Sequence, residues 1–492
     1  MMAALAEPLL TKPAHDWLRV TRLTYVPGHS NAVLDETARQ LLDRFTALGH
    51  QLEDNPNDHT DVVLTTALFG EAIGWRDSLL FTGRRRFNLS HTPTLFTLIH
   101  ATPTQLQTQL DYLQTALARE PLDPADFAFP GLAPSAYRTL IEQGKRGGPI
   151  MALVRLLQAQ SKSIRIILVI GDEQPEAAYY FDLVGAHPRS EARDPEFFYT
   201  DMVLRMVTSV STFEITRHQV REDVIPRGVW DALRTPAAMR VAGRHFGERR
   251  FFTEMVRVAD LVHVPSLAEA VANQYSEGCF ATWDPRLAAL ITTVTGSARP
   301  VEKDNLTEAE MAVIVGVRAD GLGAIVRHVE NKRNDSPSSE AVEMMEMDYA
   351  LPQITLGPEW DTVASVPVVR SKLHGHRGVA AYHPALVEFV PLAEPYYHYP
   401  VSCSTEAQAR AIKAAFHRAE SLHDPRDARQ VVFTVLPGHG LVVVEKWVPG
   451  KAPFQVLWEY MDAGHLQVAN EVPQGPLDFV DGAGGLRWLS EK

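Results

Sequence analysis

Cysteine is nearly absent: 492 residues carry only Cys279 and Cys403. Two thiols so far apart form neither a disulfide framework nor a zinc-ribbon spacing, which fits a reducing compartment. Long apolar runs are lacking too; none approaches the ~20 residues needed to cross a bilayer. Met1 to Leu10 shows no basic segment leading into an apolar one, which argues against a secretory signal. The expectation is a cytoplasmic protein without a membrane partner. Positive charge is short as well. The formal net charge is −13, whereas a phosphate-backbone binder needs a basic face, so nucleic acid is not an expected partner. Gly144-Lys145-Arg146-Gly147-Gly148 lacks the spacing of a phosphate loop, and no dinucleotide glycine fingerprint follows the first strand. There is no repeat and no low-complexity tract.

What is present is an ordinary globular composition, 45% apolar and 22% charged, in a chain long enough for roughly three domains. Residues 1–150 alternate strands (Leu23 to Val26, Asp61 to Thr66, Leu95 to His100) with amphipathic helices. In one helix Leu34, Ala38, Leu41 and Phe45 recur at helical spacing, with Ser30 or Asn31 as its cap. In the other, Leu106, Leu110, Leu113 and Leu117 share a face. Such alternation predicts a parallel sheet under helical cover, a Rossmann-like α/β domain. Pro121, Pro124, Pro130 and Pro134 mark a connection. A second Rossmann-like unit is expected over 151–265, around the apolar strand Ile164 to Ile170. Residues 266–492 are strand-rich, with one strong helix at Thr405 to Ala419, and predict an α+β domain carrying the active site. Asn331 to Ser339 reads as a flexible loop.

The chemistry concentrates in that last part. Arg370-Ser371-Lys372-Leu373-His374-Gly375-His376-Arg377-Gly378 crowds two imidazoles and several cations at the end of a strand, with glycines that permit close backbone approach. A second strand, Val431 to Leu436, runs into Pro437-Gly438-His439-Gly440. His374 and His376 can share one face of a strand. Mixed histidine and carboxylate sets suit manganese, iron, cobalt or zinc. Carboxylates are offered by Glu277, beside Gly278 at an element end, by Asp284, and by the run Glu340, Glu343, Glu346 and Asp348. The plainer alternatives are a glycine-capped helix end and a solvated acidic face. Cys403 and Ser404 open a helix whose N-terminus can lower a thiol pKa or bind an anion. A cysteine-dependent transferase or hydrolase, or a non-catalytic sugar- or anion-binding protein, are therefore the alternative functions.

Glu277-Gly278 followed by Asp284 and Ala288-Ala289-Leu290 is similar to the region carrying the first carboxylate ligand in the L-fucose/L-arabinose isomerase group. The expected domain layout also resembles that group. The resemblance implies a homo-oligomeric, metal-dependent aldose–ketose isomerase acting on a small polyhydroxylated substrate, a sugar, with Mn2+ as the metal. Glu277, a second carboxylate (Asp304 or Glu343), His374 or His376, and His439 would be the metal ligands. Glu277 or Glu343 would move the proton between C1 and C2, and Arg370 or Lys372 would stabilise the developing oxyanion. Asp284, Arg377, Cys403 and Ser404 are assigned to substrate binding.

Overall fold

The computed structural model describes residues 20–69, 93–120, 148–149, 152–153, 157, 165–181, 186–188, 195–209, 218–249, 251–252, 278–295, 303–319, 321, 323–334, 336–338, 340–392, 406–424, 426–436, 439–469 and 487–488. The chain divides into two compact units, residues 1–210 with 256–274 and residues 211–255 with 275–492. It is a mixed α/β protein whose described residues form a seven-stranded, largely parallel sheet, a nine-stranded, largely antiparallel sheet and two small sheets. No helix among the described residues is long and apolar enough to cross a membrane.

The first unit contains β1 (Arg22–Val26), α1 (Ala32–Ala47), β2 (Gln51–Glu53), β3 (Val62–Leu68), β4 (Thr94–Ala101), α2 (Pro103–Leu117), β5 (Arg165–Ile170), β6 (Ala177–Phe181), β7 (Ala186–Pro188) and α3 (Pro195–Ser209). Its sheet runs β2-β1-β3-β4-β5-β6-β7. The first five strands pair in parallel and the last two add antiparallel. Here the structure departs from the expected boundary at 150: β5 hydrogen-bonds to β4, so strands expected in two domains lie in one sheet. The physical reason is that β4 and β5 are buried on both faces, and a strand of that kind needs a neighbour on each side as well as cover. Asn31, not Ser30, caps α1 by accepting from the Leu34 N–H at 2.9 Å.

The second unit contains β8 (Gln219–Val220), α4 (Thr235–Glu248), β9 (Cys279–Asp284), β10 (Ala289–Thr293), β11 (Met311–Val317), β12 (Ala324–Arg327), α5 (Ala341–Glu346), β13 (Gln353–Leu356), β14 (Ala364–Pro367), β15 (Val369–Gly375), β16 (Val379–Tyr382), β17 (Val387–Phe389), α6 (Glu406–His417), β18 (Val431–Leu436), β19 (Gly440–Lys446), α7 (Gln455–Asp462), β20 (Leu466–Val468) and β21 (Arg487–Trp488). Nine strands form a sheet ordered β17-β18-β19-β15-β9-β10-β11-β12-β8, antiparallel except at its two edges. The two small sheets are β13-β14 and β20-β16-β21. Strand β9 escaped the sequence reading, which took Tyr275 to Cys279 as the close of a helix. The expected flexible loop is partly pinned: Ser338 N–H donates to Thr293 O and Thr295 N–H to Ser336 O, both at 3.0 Å.

Side-chain alternation gives this sheet two different faces. Phe280, Ile291, Val313, Leu373, Phe433 and Val443 meet Met239 and Phe246 of α4 and Leu457 of α7. The opposite face presents Cys279, Ala281, Leu290 and Ile314 to Val342 and Met345 of α5 and Ala409 of α6. On the first face Glu445 acts as a cap supplied from a strand. It accepts from the backbone N–H groups of Phe454 at 2.8 Å and Leu457 at 2.9 Å, satisfying donors that the start of α7 would otherwise leave bare.

Burial pushes the Glu445 carboxyl up to about 7, against the opposing pull of those hydrogen bonds and of the Arg370 charge. A carboxyl raised above its unfolded value lends stability that is full below pH ~4.5 and fades as pH climbs through ~7, a loss on the order of 3 kcal/mol. The variant Glu445→Gln cannot titrate there and cannot accept both N–H groups. Denaturant unfolding should find it less stable than wild type at pH 4.5, with the gap narrowing by pH 7.5. A gap independent of pH contradicts this assignment.

Candidate metal centre

Three imidazoles converge where β15 ends and β19 begins. These strands are antiparallel, with His374 opposite Val442 and Gly375 opposite Leu441. That register sets His376, just past β15, beside Gly440, just after His439. The approach requires glycine at 440, where an added Cβ would lie 2.1 Å from the Gly375 carbonyl oxygen. Gly375 serves packing rather than a ligand: a Cβ there would lie 2.4 Å from the ring of Phe251.

The ring centroids of His374 and His376 are 5.4 Å apart, those of His374 and His439 4.8 Å, and those of His376 and His439 5.5 Å. All three side chains are buried, and one ring nitrogen from each lies within 4.8 Å of the others. His374 Nδ1 sits 3.0 Å from Leu441 O. A carbonyl only accepts, so Nδ1 carries the hydrogen and Nε2 carries the lone pair. That Nε2 is buried with no hydrogen-bond partner among the described residues. Burial also pushes the His374 pKa down, with the charge of Glu340 opposing it, which keeps the imidazole neutral.

A neutral ring fixed by a backbone carbonyl, with its other nitrogen bare inside the protein, is the form in which histidine binds a metal. The donor set therefore fits a first-row divalent ion. Bonds of ~2.0–2.1 Å put neighbouring tetrahedral nitrogens ~3.3 Å apart, so the rings must draw inward around an ion.

The carboxylates divide into two environments. Glu340 stands just before α5 and accepts from Ser338 Oγ at 2.7 Å. Its charge is felt at His374, Cys279 and Glu343. Glu343 is fully enclosed between α5 and α6; one oxygen accepts from Gln408 Nε2 at 2.9 Å and the other has no partner among the described residues. Burial, reinforced by Glu340, pushes its pKa well up, favouring the neutral acid. Glu343 and Glu340 both lie outside the three-histidine group. Sequence reasoning noted Glu340 in an acidic run but passed over it. The available signal was its place directly after Ser338 and Ser339 and ahead of the helix.

The cations expected as oxyanion stabilisers are engaged elsewhere. Lys372 is fully buried, ion-paired to Asp348 and donating to Met344 O. It thereby ties β15 to the end of α5. The Arg370 guanidinium lies between Trp360 and Trp447, 5.0 and 4.7 Å from their ring centres, and donates to Lys451 O at 2.7 Å. At ~3.4 Å per residue it is ~13 Å along the strand from His374.

Asp284 holds the turn between β9 and β10. It accepts from the N–H groups of Arg286 and Leu287 at 3.0 Å and from Thr235 Oγ1 at 2.6 Å. It lies five residues along β9 from Cys279, the partner of His374, hence ~17 Å away. Arg377 is buried next to His376 in sequence, and Asp304 is exposed. Glu277, Cys403 and Ser404 lie outside the described residues. Neither any protein-family model nor any curated protein matches this sequence.

Breaking a buried ion pair strands a charge and costs ~3–5 kcal/mol, whereas replacing both partners by apolar groups is far milder. Lys372→Met should therefore unfold at markedly lower denaturant than Lys372→Met combined with Asp348→Leu. Strictly additive losses in that double-mutant comparison would show that the pair does not act as a unit.

Proposed function

We propose that this protein is a divalent-metal-dependent enzyme acting on a small polyhydroxylated carbonyl compound, with aldose–ketose isomerisation as its reaction. The observation that carries the proposal is the bare, buried Nε2 of His374, held by Leu441 O, within a cluster of three histidines. His374, His376 and His439 are the residues that would hold the ion. A bound divalent ion, Mn2+ in the isomerase reading, supplies Lewis acidity that polarises a substrate carbonyl.

The protein's own part is proton movement. A proton must leave the carbon next to the carbonyl and return to the former carbonyl carbon, and a carboxylate close to the ion suits that task. Glu340 fits better than Glu343, because Glu343 is held neutral and cannot accept a proton. Lys372 and Arg370 keep the strand and helices in place instead of meeting the substrate. The parallel strands β2-β1-β3-β4-β5 with their helices support the Rossmann-like description of the N-terminal part. A cytoplasmic homo-oligomer completes the reading, on the resemblance to the L-fucose/L-arabinose isomerase group.

Purified protein should contain about one equivalent of a first-row divalent ion per chain. Chelation should abolish aldose–ketose interconversion and the same metal restore it. His374→Ala should lower metal affinity at least ~10-fold, the scale seen when even outer-shell groups are lost. Protein that takes up none of Mn2+, Fe2+, Co2+ or Zn2+ sinks the metal centre. Metal-dependent release of shorter fragments from the sugar, without ketose, sinks isomerisation alone. Ligand-induced stabilisation with no turnover identifies a binding protein.

A further inference from the structure

We infer that Ser338 is a positioning residue for Glu340, orienting that carboxylate beside the histidine cluster with the Cys279 thiol behind it. The inference rests on the role proposed above for Glu340. Three observations converge. First, Ser338 Oγ donates to Glu340 Oε2 at 2.7 Å, and both side chains are buried. A carboxylate bonded to a fixed hydroxyl loses the freedom to rotate about its last torsion.

Second, the hydroxyl is itself fixed by backbone. Ser338 N–H bonds to Thr293 O, Thr295 N–H bonds to Ser336 O, and Pro337 bridges to Val294. Residues 336–338 are thus laid against the end of β10 like one more short strand. Third, Cys279 stands directly opposite His374 in the pairing of β9 with β15, and β9 pairs in turn with β10, against whose end Ser338 lies. The serine, the thiol and the histidine therefore hang from adjoining strands of one rigid sheet.

Hydrogen polarity follows from chemistry. A carboxylate only accepts, so the Ser338 proton points to Glu340. The thiol remains protonated because burial, with the nearby charge of Glu340, pushes its pKa well up. Cys279 has no nucleophilic part in this account.

A displaced catalytic group can cost on the order of 10²-fold in rate without weakening substrate binding. Loss of a supporting hydrogen bond to a metal-site residue costs ~10–100-fold. Ser338→Ala should accordingly lower kcat ~10–100-fold with KM within ~2-fold of wild type and metal content unchanged. Ser338→Thr, which keeps the hydroxyl, should recover most of the rate. Cys279→Ala should give a smaller loss than Ser338→Ala.

The decisive set is wild type, Ser338→Ala, Ser338→Thr and Glu340→Gln, assayed for kcat, KM and metal. Should Ser338→Ala not fold, Ser338→Cys keeps the volume with a weaker donor and takes its place. If Glu340→Gln is inactive while Ser338→Ala runs at the wild-type rate, the positioning role is overturned and the proton carrier stands. A raised KM, lost metal or failure of threonine to rescue overturns it too, by assigning Ser338 to binding or to structure. Full activity in Glu340→Gln removes the proton carrier and the inference with it.

Discussion

The pairing of β15 with β19 is the constraint on which the second unit depends. It opposes His374 to Val442 and Gly375 to Leu441, joining segments about seventy residues apart in the chain. A slip of one residue would turn every side chain of a strand to the other face. It would carry His374 and Lys372 into the phenylalanine-rich core and expel Leu373 from it. The register is held on both faces at once. Glu445 and Ser371, also partners in this ladder, bond to each other and to the start of α7 on one face. On the other, Lys372 reaches the end of α5. The strand pair is thus the common floor of a helix cap and of the histidine cluster.

Buried charge follows from the same arrangement. Lys372 on β15 meets Met344 O within α5 and Asp348 just after it, while Glu340 at the head of α5 meets Ser338. The short helix between them is tethered at both ends to the sheet that carries the histidines. Such groups are expensive to desolvate and contribute little net stability compared with apolar residues of the same size. Their effect is geometric: α5 can occupy few positions that keep Lys372, Asp348 and Glu340 all bonded.

Much of this was legible in the sequence, for identifiable reasons. The alternation of apolar strands and helical faces gave α1, α2, β4, β5 and β18, because burial patterns are local. His374, His376 and His439 stood out because glycine-flanked histidines at strand ends are unusual, and the structure brings them together. Convergence itself was not legible, since it depends on which strands pair. Arg370 and Lys372 misled because a cluster of cations reads as a site, whereas Trp360, Trp447 and Asp348 absorb them, and those partners lie 10 to 77 residues away in the chain. Strand β9 was missed because its six residues, Cys279-Phe280-Ala281-Thr282-Trp283-Asp284, are buried on both faces yet mix apolar and polar types with no clear period.

The choice between Glu340 and Glu343 shows why residue type and spacing were insufficient. Three residues apart, they would share a helical face if both were helical. But α5 begins at Ala341, so Glu340 stands outside the helix and points by the geometry of the preceding segment. Glu343 is inside, sealed between α5 and α6. Two carboxyl groups close enough for one charge to act on the other rarely ionise together, and burial decides which yields. Here desolvation, reinforced by Glu340, pushes the Glu343 carboxyl well up, while the Ser338 hydroxyl donates to Glu340. Neutral Glu343 then reinforces this arrangement, because it adds no second negative charge to repel Glu340 from the cluster. A single buried acid thus determines which of two neighbouring carboxylates is available for chemistry.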